Sequence, residues 1–242
     1  MVRFRVGKSY WFKRMKVAAI IFSRMASSRL PGKALRHIAG EPLIKRVINR
    51  VSKVKKLSTV VVATSNSKND DRLVEYIQSL NIEVFRGAAH DVLNRAVSCA
   101  SYLGVDKFIR INGDSPLIDP ELLEKGIEMW REPNLDLISN VFPRTYPVGT
   151  SVEIIKTDSL KKILSLTVDS CDREHVTRFF YRNPEKFRIL NFESGRSELR
   201  EVRLAVDTEE DLERIDWLFK EFGGLINFEM AAEKSLLWSR VE

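Results

Sequence analysis

The chain contains 242 residues, of which 44% are hydrophobic and 30% are charged. This composition excludes an intrinsically disordered protein, and no apolar run approaches the roughly 18–20 residues of a membrane span. Two cysteines, Cys99 and Cys171, are too few for a disulfide scaffold or a four-cysteine zinc site. We therefore expect a soluble cytoplasmic protein.

Positive charge is concentrated at the start of the sequence. Lys and Arg number 40 against 33 Asp and Glu, for a formal net charge of +7. Residues 1–14 hold five of these cations and no acid, so the remaining chain carries a net charge of only +2. A nearly neutral body argues against nucleic-acid binding. We interpret residues 1–14 as a disordered basic leader before a single domain over residues 15–242; the alternative is a basic anchor for a membrane surface or a partner.

Short apolar runs alternate with amphipathic stretches in the first half of the chain. The apolar runs predict buried strands at residues 17–22, 59–63, 82–85 and 107–111. Between them, apolar residues at helical spacing predict helices that begin at Pro42, cover 73–80 and 93–100, and follow Asp119 as N-cap with Pro120 at the first helical position. Strands separated by helices imply right-handed crossovers and a parallel sheet.

The second half of the chain is less regular. Its pattern predicts strands at 152–155, 187–192 and 203–206, and helices at 158–166, 174–181, 209–222 and 227–242. Thr208 is a suitable N-cap for the helix at 209–222. The predicted fold class is α/β, with a three-layer, mostly parallel, doubly wound sheet and a smaller β-rich subregion.

A basic loop follows the first predicted strand, where ligands bind in open parallel sheets. It places Arg24, Arg29 and Lys33 within ten residues, among small residues and a Pro-Gly pair. Such a loop suits a polyphosphate, because free backbone N–H groups and cations both bind phosphate oxygens. A solvated basic turn is the alternative. Neither a Walker A motif nor a G-x-G-x-x-G motif is present.

Three acidic residues follow predicted strands, and each has a structural alternative. Asp114 has no helix to cap immediately and is a candidate ligand for Mg²⁺, which binds few protein carboxylates and keeps waters. Asp119 is better explained as a helix cap. Asp207 is either a second metal ligand or the cap of the helix that follows it.

Four motifs, in order, resemble a known family. They are Arg24-Met-x-x-Ser-x-Arg-Leu-Pro-Gly-Lys33, Gly113-Asp-Ser-Pro-Leu-Ile-Asp119, Arg173-Glu-His-Val-Thr177 and Val206-Asp-Thr-Glu-Glu-Asp-Leu212. From about Met15 to Phe222 the sequence resembles a cytidylyltransferase of the spore coat polysaccharide biosynthesis type, a group related to the CMP-sialic acid and CMP-KDO synthetases.

The resemblance implies a nucleotide-diphospho-sugar transferase (GT-A-like) fold, a Mg²⁺ cofactor, a homodimer, and transfer of CMP from CTP to a sugar acid with release of pyrophosphate. Carried over by motif, the triphosphate would be held by Ser23, Arg24, Arg29 and Lys33. The metal would be held by Asp114 and Asp207, and catalysis would rest on Arg24, Lys33 and Asp114. Base and ribose would lie near Thr64, Ser65, Gly87 and Asp91, and the sugar near Tyr146, Glu153, Glu174 and His175.

The sequence departs from the family pattern at a few positions. Ala26 stands where relatives usually have Gly, and Val148 and Ser151 stand where related sequences often have acids. The alternatives within the fold are a nucleotidyltransferase for a sugar 1-phosphate and a glycosyltransferase, although the D-x-D motif of the latter is absent at Asp114. A non-catalytic nucleotide-sugar binding protein is the alternative outside enzymes.

Overall fold

The computed structural model describes residues 17–238. The predicted leader at 1–14 lies outside the described residues. Within the described range, no helix is both long and apolar enough to cross a membrane.

Strands and helices alternate through the first half of the described chain. The strands are β1 (Val17–Phe22), β2 (His37–Ile38), β3 (Glu41–Pro42), β4 (Leu57–Ser65), β5 (Glu83–Gly87), β6 (Lys107–Asn112), β7 (Leu137–Ser139), β8 (Glu153–Lys156) and β9 (Ile189–Asn191). The helices are α1 (Leu43–Val51), α2 (Asp71–Ser79), α3 (Val92–Tyr102), α4 (Pro120–Met129), α5 (Thr157–Leu166), α6 (Ser170–Glu174), α7 (Arg178–Arg182), α8 (Glu209–Phe222) and α9 (Phe228–Ser235).

Seven of these strands form one sheet in the order β5-β4-β1-β6-β8-β7-β9. β5, β4, β1 and β6 are parallel, as the alternating pattern predicts. β8 runs antiparallel to both β6 and β7, and β9 is parallel to β7. β2 and β3 pair separately as a short antiparallel hairpin. The sheet therefore has a parallel side and a mixed side that meet between β6 and β8.

Side chains that alternate along the strands bury two apolar clusters, one on each face of the sheet. On one face Ile109 and Ile111 of β6 join apolar residues of α1, α2, α4, α8 and α9. On the other face Phe108 joins residues of α3, α5 and α7. Helices thus cover both faces, which confirms the predicted three-layer, doubly wound α/β architecture.

Two predicted elements in the second half were wrong. Residues 203–206 do not form a strand of the sheet; Arg203 makes only an isolated bridge with Val148. The predicted helix at 174–181 is two short helices, α6 and α7, separated at residues 175–177. The strand β7, in the centre of the mixed side, was not predicted because its three residues are too few to show a period.

Candidate active site

A pocket of about 300 Å³ opens at the carboxyl ends of β1 and β6. Its wall includes the basic loop after β1, the first residues after β6, and the end of α6. Predicted site residues lining it are Ser23, Arg24, Arg29, Lys33, Asp114, Glu174 and His175. The structure therefore brings the predicted triphosphate loop, one predicted metal ligand and two predicted sugar ligands into one cavity.

Lys33 lies between the two predicted metal-binding carboxylates. Its Nζ donates to Asp114 Oδ2 at 2.9 Å and to Asp207 Oδ1 at 2.8 Å. Arg29 adds a contact of 3.1 Å to Asp207, and Arg203 forms a further ion pair with it. Burial alone would raise the pKa of Asp207, but the hydrogen bond and charge of Lys33, with both arginines, hold that pKa below its usual value. Both carboxylates therefore contact the same cation, Lys33.

Backbone contacts hold Asp114 and Asp207 next to each other. The N–H of Val206 donates to the carbonyl of Asp114 at 2.9 Å, so the two acidic residues adjoin without a strand at 203–206. The β6 end is also packed tightly against β1, because Gly113 donates to the carbonyl of Phe22 at 2.8 Å. A Cβ at Gly113 would lie 2.7 Å from Ser23 Cβ, so only glycine allows this approach.

The structure separates the two interpretations of Asp207. Thr208, not Asp207, is the N-cap of α8; its side chain accepts from the N–H of Asp211, and Asp211 completes a capping box. Asp119 accepts from the N–H of Glu121 and caps α4, as expected. Asp207 is therefore free of the capping role that competed with a metal role.

Arg24 of the basic loop forms an ion pair across the pocket. Arg24 Nη2 donates to Glu174 Oε1 at 2.8 Å, so the loop after β1 contacts α6 directly. Glu174 and the exposed His175 reach the pocket because α6 ends there. Ala26 also lines the pocket.

Thr64 and Ser65 lie at the end of β4 but turn their side chains away from the pocket. Both are buried and donate to the carboxylate of Asp70, which also accepts from the backbone N–H of Met25 at 2.7 Å. Asp70 thereby ties the basic loop to β4. Burial opposes ionisation, yet the donors from Ser65, Met25 and Thr64 hold the pKa of Asp70 below its usual value. Asp70 was not predicted, because the spacing Thr64-x₅-Asp70 does not indicate that these residues are in contact.

Gly87 and Asp91 lie at the two ends of the turn between β5 and α3. Asp91 caps α3 by accepting from the N–H of Asn94 at 2.8 Å, and it pairs with Arg173 at 2.9 Å. Gly87 closes β5, and its Cα faces the stem of Arg95.

The structure does not place Tyr146 and Glu153 in the pocket. Tyr146 is 2% exposed and packs against Phe192 and Phe228, with its hydroxyl donating to the carbonyl of Glu193. Glu153 is also 2% exposed and pairs with Arg110 Nη1 at 2.5 Å. Neither side chain offers a surface to a sugar; the reason is that alternation along β8 turns Glu153 into the protein.

Two arginines that the sequence reasoning missed complete the pocket wall. Arg110, on β6, is held by Glu153 beneath it, and Arg95 projects from α3. The sequence gives a weak indication of both arginines, because each is a cation at a position where the apolar residues around it predict a buried side chain. The pocket wall thus holds five cationic side chains, from Arg24, Arg29, Lys33, Arg95 and Arg110, beside the anions of Asp114 and Glu174.

This arrangement suits a polyanion accompanied by a divalent cation. The pair Asp114 and Asp207 fits Mg²⁺, because both offer carboxylate oxygens at a place that already stabilises one cation, Lys33. Among residues 17–238 no group of three or more His, Cys, Asp and Glu side chains can hold a metal alone. Phosphate oxygens and water would have to supply the remaining ligands, as is usual for Mg²⁺.

Comparison with known proteins decides the family. Residues 18–239 match the family described as Cytidylyltransferase. The chain belongs to the cytidylyltransferase family. It is thus a nucleotidyltransferase that uses CTP, and the resemblance read from the four sequence motifs is confirmed.

The similarity to related proteins covers most of this cytidylyltransferase. It is 31% identical to the spore coat polysaccharide biosynthesis protein SpsF of Bacillus subtilis, covering 84% of this chain and 86% of the relative. It is 32% identical to a 3-deoxy-manno-octulosonate cytidylyltransferase of Geobacter metallireducens, covering 77% and 67%. A cytidylyltransferase structure from Leptospira borgpetersenii superposes with a TM-score of 0.86 at 29% identity, covering 91% and 93%.

Proposed function

We propose that this cytidylyltransferase transfers CMP from CTP to a sugar acid of the ulosonic or nonulosonic type, for cell-surface polysaccharide synthesis. The observation that carries the proposal is the carboxylate pair of Asp114 and Asp207, bridged by Lys33 beside a cation-lined pocket. The names of SpsF and of the 3-deoxy-manno-octulosonate cytidylyltransferase support a sugar-acid acceptor and a polysaccharide product.

In this proposal the basic loop holds the triphosphate. Ser23, Arg24, Arg29 and Lys33 surround the phosphate oxygens, and Asp114 and Asp207 hold Mg²⁺. The bound Mg²⁺ would neutralise charge on the phosphoryl oxygens. Because Lys33 contacts both carboxylates, it is placed to neutralise them before the nucleotide arrives and to donate to phosphate afterwards.

A sugar hydroxyl then attacks the α-phosphorus of CTP. A new O–P bond forms, the bond from the α-phosphorus to the bridging oxygen breaks, and pyrophosphate leaves. Negative charge grows on the phosphoryl oxygens, so the cations of Arg24, Lys33 and their neighbours stabilise the transition state more than the ground state. No covalent intermediate with the protein is needed, since positioning and charge stabilisation suffice for phosphoryl transfer.

The base and the sugar acid bind in neighbouring parts of the site, since Asp91 pairs with Arg173, the residue before Glu174. We place the base and ribose over the ends of β4 and β5, near Gly87 and Asp91, where the backbone at Thr64 and Ser65 is held by Asp70. We place the sugar acid beside Glu174, the last residue of α6, and His175, which follows it. Tyr146 and Glu153 support that side from within the protein.

Two further proposals follow from the resemblance. The enzyme acts in the cytoplasm, where CTP is available, and it works as a homodimer. Light scattering at micromolar concentration tests the second proposal: a molar mass of one chain would contradict it.

The decisive experiment measures pyrophosphate release from each of the four nucleoside triphosphates, with Mg²⁺ and a panel of acceptors. The panel contains 3-deoxy-manno-octulosonate, nonulosonic acids, and sugar 1-phosphates. We expect release only with CTP and a sugar acid. Release with a sugar 1-phosphate would favour the alternative nucleotidyltransferase. Binding of CTP without release from any acceptor would favour a non-catalytic binding protein.

A further inference from the structure

Arg95 is a buried cation on the pocket wall with no ion-pair partner among the described residues. Its side chain leaves α3 and is only 2% exposed. Nη1 donates to the carbonyl of Ala88 at 2.7 Å, and Nε has no hydrogen-bond partner within residues 17–238. A buried guanidinium with unused donors is unfavourable, because it loses water without a full replacement.

The acids that act on Arg95 are already engaged elsewhere. They are Asp70, Asp91 and Glu174. Asp70 accepts from β4 and from the basic loop, Asp91 caps α3 and pairs with Arg173, and Glu174 pairs with Arg24. Burial and the nearby charge of Arg24 both act against the ionised form and lower the pKa of Arg95. The charges of these carboxylates favour the ionised form, but none of them forms an ion pair with Arg95 within residues 17–238.

Arg110 lies in the same pocket and, unlike Arg95, has an ion-pair partner within the part of the chain that the structure describes. It also has an Nε without a partner among the described residues, but its Nη1 pairs with the buried carboxylate of Glu153. Arg95 has no equivalent of Glu153. The contrast indicates that an anion from outside the chain completes Arg95.

Gly87 leaves space for the base of the Arg95 side chain. A Cβ on Gly87 would lie 2.9 Å from Arg95 Cγ and 3.3 Å from Arg95 Cβ. These are atoms at the base of the side chain, so they cannot swing away as a flexible end would. Gly87, predicted as a nucleotide contact, therefore acts by admitting Arg95.

We infer that Arg95 binds the phosphate chain of the nucleotide, from the wall formed by α3 and opposite the basic loop after β1. The inference rests on the proposed function for the identity of the nucleotide, but it concerns phosphate binding itself. It assigns Gly87 as a positioning residue for Arg95. It also predicts that the charge of Arg95 is costly to the free protein and useful only when phosphate is bound.

The test compares the full-length protein with Arg95→Met, Arg95→Lys and Gly87→Ala, using Arg131→Met, an exposed arginine at the end of α4, as control. Calorimetric titrations use Mg²⁺ with CTP and, separately, Mg²⁺ with inorganic tripolyphosphate. We expect Arg95→Met to weaken both ligands roughly 10- to 100-fold, the loss of one charge-assisted contact. Arg95→Lys should bind with intermediate affinity, and Gly87→Ala should weaken both ligands.

A melting curve without ligand separates this role from a structural one. Arg95→Met should melt no lower than wild type, because an unpaired buried charge is removed. A lower melting temperature with unchanged tripolyphosphate affinity would overturn the inference. Loss of CTP binding alone, with tripolyphosphate binding intact, would also overturn it by placing Arg95 at the cytidine. If Arg95→Met does not fold, wild-type affinity in both Arg95→Lys and Gly87→Ala overturns it.

Failure of the proposed function gives a different result. If wild type binds tripolyphosphate through Arg95 but shows no preference for CTP, the nucleotide assignment fails and the phosphate role of Arg95 stands. If wild type binds neither ligand, the phosphate role is wrong as well.

Discussion

Buried charged side chains have different partners on the two sides of the sheet. Where β6 meets the mixed side, a buried ion pair forms within the protein: Arg110 of β6 pairs with Glu153 of β8, and Tyr181 donates to the same carboxylate at 2.6 Å. Ser139 lies 2.8 Å from the Tyr181 hydroxyl and extends the chain of hydrogen bonds into β7. On the parallel side, Arg95 stays without a carboxylate of its own among residues 17–238.

The difference separates charges that hold the fold from charges that await a ligand. Burial alone would raise the pKa of Glu153, but Arg110 and the Tyr181 hydroxyl lower it, so the carboxylate is ionised and has its partners within the protein. Removing a member of such a network leaves a buried group unpaired and reduces stability. Removing a charge that only the ligand completes leaves stability intact and reduces binding. Substitutions on the two sides should therefore fall into two classes.

The largest effect is expected on the mixed side. Glu153→Gln keeps the shape of the side chain but leaves Arg110 without its counter-charge. We expect a loss of about 3 kcal/mol in the free energy of unfolding, the lower end for a broken buried pair, because the Arg110 side chain keeps 19% exposure. Urea unfolding at pH 7 measures this loss. Glu193→Gln, at an exposed position, is the matched control, and an equal change in both variants would remove the distinction between the two sides.

The next effect concerns catalysis at the boundary between the two sides. Asp114→Asn and Asp207→Asn should each lower turnover about 100-fold, equivalent to about 2.7 kcal/mol of transition-state stabilisation. Because Thr208 and Asp211 cap α8, Asp207→Asn leaves the helix intact. Pyrophosphate release at saturating Mg²⁺ measures turnover. Asp119→Asn is the control, since Asn also caps helices and should keep turnover near wild type; an equal loss in all three variants would contradict a metal role.

The parallel side is the part that the sequence predicts well. β1 is predicted to the residue, and β4 and β6 within two residues, because buried parallel strands are continuous apolar runs. The basic loop and Asp114 follow from their position after those strands. On the mixed side β8 is predicted within one residue and β9 lies inside the predicted strand at 187–192, but β7 is missed, because its three residues are stabilised by partners distant in sequence.

Long-range contacts explain the other discrepancies. Asp207 adjoins Asp114 through a backbone hydrogen bond of Val206, not through a strand, and no local pattern announces such a contact. Glu153 was assigned to the sugar because it lies in a motif region, whereas the pairing of β8 with β6 turns it toward Arg110. Arg95 was missed because a single charge on a helix usually faces solvent, and Asp70 because it lies in the connection between β4 and α2, where an acid is ordinarily exposed.

A smaller effect tests how the parallel side is held together. Asp70 accepts hydrogen bonds from Thr64, Ser65 and Met25, and these donors hold its pKa below the usual value of 3.8. A lowered carboxyl pKa contributes stability that is present above the unfolded-state pKa and is lost as pH falls through the folded-state pKa. Asp70→Asn should therefore lower unfolding free energy by about 1–2 kcal/mol at pH 6, and by less below pH 3.8. Urea unfolding at pH 6 and pH 3 measures both differences; a gap that is constant with pH would contradict the ionised network.

The smallest effect is expected from removal of residues 1–14. Residues 1–14 carry five cations, but the cations that serve the phosphate chain in our proposal lie on the loop after β1 and on α3. A chain that begins at Met15 should therefore keep CTP-dependent turnover within about twofold, measured at 0.15 M salt. Arg24→Gln in the same assay is the positive control and should lose turnover clearly. A more than tenfold loss in the shortened chain, with an unchanged melting temperature, would place residues 1–14 in the phosphate site. It would contradict the proposal that the phosphate-binding cations lie on the loop after β1 and on α3.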